Sequence, residues 1–221
     1  MTQGRRFPTA TDAVGLARIA AGVLCITVLG YAYGQRIEVG DGSPLDFFGY
    51  FTNQTSLMTS IALIATGLLA VFRRRIPEWL STVRGIATAC LIVVAVVYNV
   101  LVPGTGSAPP WVSAVLHMVF PLVVVLDWLL VADRPALPWR RLWLVLPYPI
   151  VWLGVVLVRG ATDGWVPYGF LLPERGLASL AVHIVGLLGA MLAAGALVWA
   201  GSRLSLGPLA LAADRAPARV G

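Results

Sequence analysis

Apolar residues dominate six stretches of the chain, at 14–33, 47–71, 84–102, 111–131, 142–158 and 177–199, and polar residues gather between them. A hydrocarbon core of about 30 Å needs about 20 helical residues, so each stretch is long enough to cross or nearly cross a bilayer. The runs lack the two-residue alternation of a membrane β-barrel. The pattern therefore predicts an all-α polytopic membrane bundle of six transmembrane helices, with a polar tail over 1–13, one membrane domain over 14–200 and a disordered tail over 201–221. Gly15, Gly22 and Gly30 in the first span, and Gly186, Ala190 and Ala194 in the last, are small residues of the kind that let membrane helices approach closely.

One segment departs from the apolar pattern. Within Phe47–Thr59, an aromatic cluster leads into Thr52, Thr55, Ser56 and Thr59, which share one helical face at offsets of three, four and seven, with Asn53 and Gln54 beside them. A membrane-buried polar stripe is expected to face the bundle interior or a wet cavity rather than lipid. His117 is followed four residues on by Pro121, which removes the N–H that would bond the His117 carbonyl, so the fourth span is expected to kink there. Asp127, further along that span, is expected to pair with an arginine of the inner loop. Pro147 and Pro149 predict a bend in the fifth span. The aromatic loop Thr162–Pro173 is too apolar for a solvated connection and is expected to lie at the interface or fold back as a lid.

Composition adds orientation. Hydrophobic residues make up 58% of 221 and charged ones 12%, with a mean hydropathy of +0.84. The net charge of +6 comes from sixteen arginines, of which thirteen fall at the N-terminal end, in the second and fourth loops or in the C-terminal tail. That asymmetry predicts both termini in the cytoplasm of a plasma-membrane multi-pass protein. It also assigns the basic residues to orientation and anionic lipid contact rather than to nucleic acid. Cys25 and Cys90 lie mid-span and read as small hydrophobes.

Counting from the predicted outer ends places Thr52, His117 and His183 about 8–9 Å deep, at 1.5 Å per residue. A hydroxyl nucleophile needs a base, and histidine commonly supplies it. Thr52 with His117 or His183 meets that need, Asn53, Gln54 and Asn99 are candidate oxyanion donors, and Arg159 or Arg175 is placed to hold an anionic head group. Other readings of the same residues stand beside this one. The hydroxyls can bond their own helix and each histidine can cross-link two helices. A non-enzymatic lipid-binding or transport protein would use the same polar cavity, and two histidines at one depth can ligate a single b-type haem. Two histidines without a carboxylate at their depth do not suit a catalytic zinc site, so no metal is predicted.

These motifs also carry a resemblance. FFGYFTNQTSL at Phe47–Leu57, Tyr98-Asn99, LHMVFP at Leu116–Pro121, Asp127-Trp128, and Tyr148-Pro149 through WVPYGFL at Trp165–Leu171 resemble the androgen-inducible and androgen-dependent TFPI-regulating protein family, in its actinobacterial form, over about residues 14–200. The resemblance implies a membrane threonine hydrolase acting on fatty acid esters of hydroxy fatty acids, with Thr52 as nucleophile and His117 as its partner. It implies no cofactor, and it gives His183 no role. The implied partners are membrane lipids and a lipid ester substrate.

Overall fold

The computed structural model describes residues 10–104, 108–131 and 133–204, and all regular structure among these is helical. The long elements are α1 (Ala10–Glu38), α3 (Phe51–Val71), α4 (Glu78–Leu101), α7 (Pro147–Thr162) and α8 (Leu177–Gly201). A short α2 (Pro44–Phe47) precedes α3, and a composite span runs through α5 (Pro110–Ala114), a π-helical turn (Val115–Val119) and α6 (Phe120–Leu130). Six helical segments among the described residues are long and apolar enough to cross a membrane.

Several boundaries differ from the hydropathy reading, each for a local reason. The second span was expected to begin at Phe47, but the chain breaks at Gly49 and α3 starts at Phe51. A Cβ at Gly49 would overlap the Trp165 indole, and the Gly49 carbonyl accepts a 2.8 Å hydrogen bond from Trp152 Nε1. Thr52 thereby becomes the second residue of its helix. In the fifth span Pro147 and Pro149 fall in the first turn of α7, where a missing N–H costs little, and a 3₁₀ segment, Trp139–Val145, leads into it. α1 begins at Ala10 and α4 at Glu78, ahead of the spans expected from 14 and 84, so Arg18 and Arg84, counted with the N-terminal end and the second loop for orientation, lie well inside helices. Of the tail expected over 201–221, residues 205–221 lie outside the described residues, as do residues 1–9.

α4 is the most buried span and packs against α3, α6 and α8, while α1 lies along α3. Backbones meet where the glycines allow it. A Cβ at Gly15 would stand 2.8 Å from the Gly67 carbonyl oxygen, and one at Gly22 would stand 2.7 Å from that of Ser60. Gly30 and Gly186 face open space and make no such approach, whereas Ala194 is buried in the core.

At the end of the bundle shared by the start of α1 and the end of α8, four charged side chains close into a box. Arg18 pairs with Asp127 at 2.7 Å and also with Asp133; Arg84 pairs with Asp127 at 2.7 Å and with Asp133 at 3.2 Å. Arg18 and Arg84 are only 2% and 3% exposed. Asp127 thus has arginine partners, but they come from within α1 and α4 rather than from an inner loop. Burial would raise the Asp133 carboxyl, but Arg84 and Arg18 hold it below the usual carboxylate range. Arg134 stacks over Trp128 at 4.2 Å, and the Trp128 Nε1 donates to the Val198 carbonyl at 3.0 Å, locking α6 to α8.

Candidate functional site

The opposite end of the bundle holds a cavity of about 60 Å³. By the measure in which one water needs about 10–15 Å³, it takes a few small groups. Its wall is apolar, from Val93, Val94 and Val97 of α4, Trp152 and Leu153 of α7, and Met191 of α8. Into this surface project Thr52, His117, Tyr98 and Tyr168.

The Thr52 hydroxyl lies 3.4 Å from His117 Nε2. His117 Nδ1 is 2.9 Å from the Ser113 carbonyl oxygen. A carbonyl only accepts, so Nδ1 carries the proton and Nε2 presents its lone pair to Thr52. The Tyr98 ring stacks on the imidazole with centroids 3.6 Å apart and planes at 11°, which fixes its tilt. The kink expected at His117 takes the form of the π-helical turn. Pro121 leaves the His117 carbonyl without its α-helical donor, and Asn99 Nδ2, which donates to the Ala95 carbonyl at 2.8 Å, also reaches that carbonyl at 3.4 Å. Asn99 therefore supports the histidine's backbone from outside the cavity lining.

The polar stripe of α3 turns inward: Thr52, Thr55, Ser56 and Thr59 are all buried. Thr59 donates to the Thr55 carbonyl at 2.7 Å, as a hydroxyl satisfying its own helix does. Thr55 instead shares a 3.3 Å contact with the Tyr148 hydroxyl, which donates to Gln54 Oε1 at 3.1 Å. Asn53 Nδ2 donates to the Phe47 carbonyl at 2.8 Å and closes the turn between α2 and α3. Gln54 and Asn53 thus shape the entrance to α3 and do not line the cavity.

The loop between α7 and α8 folds back over the cavity, as its composition predicted. Phe170 and Leu171 are buried, and Tyr168 and Phe170 line the space. Tyr168 is parallel to Phe170 at 5.4 Å and meets the Tyr50 ring edge-on at 5.8 Å. Burial pushes its phenol up to about 12, against the lowering influence of the Thr52 hydroxyl and the N–H groups of Thr52 and Phe51. Arg159 anchors the loop base, bonding Asp46 and Asp163 at 2.8 Å each and lying 4.3 Å over the Trp165 ring. It is outside the lining. Arg175, the other candidate for an anionic head group, is exposed beside the α8 start. His183 Nδ1 meets the Ser179 carbonyl at 2.7 Å, and its ring stacks on Phe170 at 5.6 Å. The histidine therefore backs the loop rather than the cavity, and the two imidazoles do not line a common space. No group of three or more potential metal ligands occurs among the described residues.

Of the candidates named from sequence, the fold brings Thr52 and His117 together. Tyr98 and Tyr168, which also line the cavity, were not among those candidates, although Tyr168 lies in the aromatic loop and Tyr98 beside Asn99 in a motif of the resemblance. Compared with family models, curated proteins and solved structures, the chain matches none.

Proposed function

We propose that this protein is an intramembrane ester hydrolase in which Thr52 attacks a lipid ester and His117 handles the proton. The observation that carries the reading is the 3.4 Å approach of the Thr52 hydroxyl to His117 Nε2, with Nδ1 committed to the Ser113 carbonyl. Catalytic hydrogen bonds are often long before substrate binds. The apolar wall suits an acyl chain, and the family resemblance points the same way. On this reading the arginine-rich end faces the cytoplasm and the lipid reaches the site from the opposite leaflet.

The chemistry balances with these two side chains and water. Thr52 Oγ1 bonds to the ester carbonyl carbon while its proton passes to His117 Nε2, and the carbonyl electron pair moves onto oxygen. Collapse breaks the ester C–O bond, the leaving alkoxide takes the proton from His117, and the acyl group stays on Thr52. Water then attacks, giving a proton to His117; the acid departs and Thr52 oxygen recovers the proton.

Purified protein in mild detergent should label at Thr52 with a fluorophosphonate and cleave long-chain esters. Thr52→Ala should lose labelling and turnover, and His117→Ala should slow both by about 10²–10⁴-fold. Thr55→Ala, whose hydroxyl engages Tyr148 outside the lining, should keep them. A folded wild type that neither labels nor cleaves any ester of a broad chain-length panel would overturn the hydrolase and leave lipid binding as the use of the cavity.

A further inference from the structure

Acyl transfer places negative charge on the former carbonyl oxygen, and its stabilisation usually contributes the largest single share of the rate. The donors predicted from sequence do not fill this role: Asn53 and Gln54 bond the α2–α3 turn and Tyr148, and Asn99 bonds backbone carbonyls. The start of α3 offers others. The first N–H groups of a helix lack helical acceptors. Those of Asn53 and Gln54 are taken by the Tyr50 carbonyl at 3.1 and 3.2 Å. The N-cap, Tyr50, contributes no side-chain hydrogen bond, so the N–H groups of Phe51 and Thr52 stay uncapped, and both residues border the cavity that Tyr168 also lines.

We propose that Tyr168 is a third catalytic residue of this site, donating its phenolic hydrogen to the oxygen of the tetrahedral intermediate while the N–H groups of Phe51 and Thr52 hold the same oxygen. The inference rests on the reading of Thr52 as nucleophile. Its geometry is independent of the histidine: Tyr168 comes from the loop, Thr52 and the two N–H groups from the α3 start, and all border one cavity. Rings of Tyr50, Trp152 and Phe170 surround Tyr168 at 5.8, 5.9 and 5.4 Å. A donor held in this way needs little reorganisation when charge develops, which is the condition for effective electrostatic catalysis. No proton is transferred to or from the phenol: it donates a hydrogen bond as the carbonyl π pair moves to oxygen, and that bond weakens when the carbonyl re-forms. The loop thereby becomes part of the catalytic apparatus, and an ester is attacked efficiently only while the loop covers the cavity.

The test is Tyr168→Phe in the full chain, assayed on a p-nitrophenyl alkanoate and on the corresponding thionoester. Sulfur is a poor hydrogen-bond acceptor, so loss of an oxyanion donor slows the oxygen ester far more than its thiono analogue. The expected result is a kcat on the oxygen ester lower by about 10²–10³-fold, the range for one such donor, with KM changed less than about threefold. The ratio of oxygen-ester to thionoester turnover should fall by at least about tenfold. That ratio is measured within one preparation and does not depend on how much of the variant is folded. Tyr31→Phe, on the outer surface against Trp111, should match the wild type. Equal slowing of both esters, or a kcat within about threefold of wild type, would overturn the role of Tyr168 while leaving Thr52 and His117 intact. A wild type inactive on both esters and unlabelled at Thr52 would instead remove the nucleophile assignment, and this inference with it.

Discussion

The two ends of the bundle solve the problem of polar groups in an apolar interior in opposite ways. At the end near the termini, Arg18, Arg84, Asp127 and Asp133 are charged, mutually paired and closed in by Trp128 and α8. At the other end, Thr52, His117 and Tyr168 are uncharged, and they border a cavity with a largely apolar wall. A buried charge must be matched completely, because leaving one partner alone costs far more than the pair contributes. A neutral hydroxyl or imidazole costs much less to leave lightly bonded. The difference teaches where chemistry can reside: the charged groups of the box are held by one another, although Arg18 Nη2 is left without a hydrogen-bond partner, whereas the Thr52 and His117 contact, at 3.4 Å, has room to tighten around a substrate.

Three measurements would break or sharpen this contrast. Asp127→Ala should have the largest effect on stability, about 3–5 kcal/mol, since it strips both Arg18 and Arg84 of a partner. Thermal unfolding in detergent reads the loss, and ester turnover per folded molecule, assayed well below the melting point, should remain that of the wild type. A loss of turnover equal to that of Thr52→Ala would mean the two ends are not separate in function. Gly49→Ala should come next, at about 1–3 kcal/mol from overpacking. Its Cβ would displace the Trp165 indole and with it the loop bearing Tyr168, so here stability and turnover should fall together. The smallest effect belongs to pH. Asp133 has its folded pKa depressed, so its contribution is complete above the unfolded value of about 3.9 and disappears as pH falls through the lower folded value. Melting temperature should therefore be level in this respect from pH 5 to 8, and the gap between wild type and Asp133→Asn should narrow only in more acid solution.

Much of this arrangement can be read from the amino-acid order, and the rest fails for identifiable reasons. The six spans follow from hydropathy because backbone groups in a bilayer must bond within a helix. The third span is the exception: its expected start at Arg84 falls inside α4, which begins at Glu78. A window average sees a charge as a reason to end a span, and cannot see that Asp127, more than forty positions away in sequence, neutralises it. Counting along helices brought Thr52 and His117 to one depth, but whether they face each other depends on the break at Gly49, which is set by Trp152 and Trp165 of distant segments. Asn53 and Gln54 stood out as polar residues in an apolar context. They spend that polarity on a neighbouring carbonyl and on Tyr148. Tyr168 is hidden for the converse reason: in an aromatic loop its ring reads as one more apolar anchor, and only the fold sets it on the cavity that Thr52 borders.

The π-helical turn at Val115–Val119 has a further consequence for how its span is aimed. Each residue of an α-helix advances the side-chain direction by about 100°, and a π turn accommodates one residue beyond the regular α-helical repeat. The stretch before the turn and the stretch after it are therefore out of phase with each other. His117 is oriented toward the cavity and Asp127 toward the arginine box by two separately set dials on one rod. Removing a single residue between 115 and 119 would take out the extra residue of the π turn and rotate one dial against the other, so that a chain of almost unchanged composition satisfies one end of the bundle only by misdirecting the other.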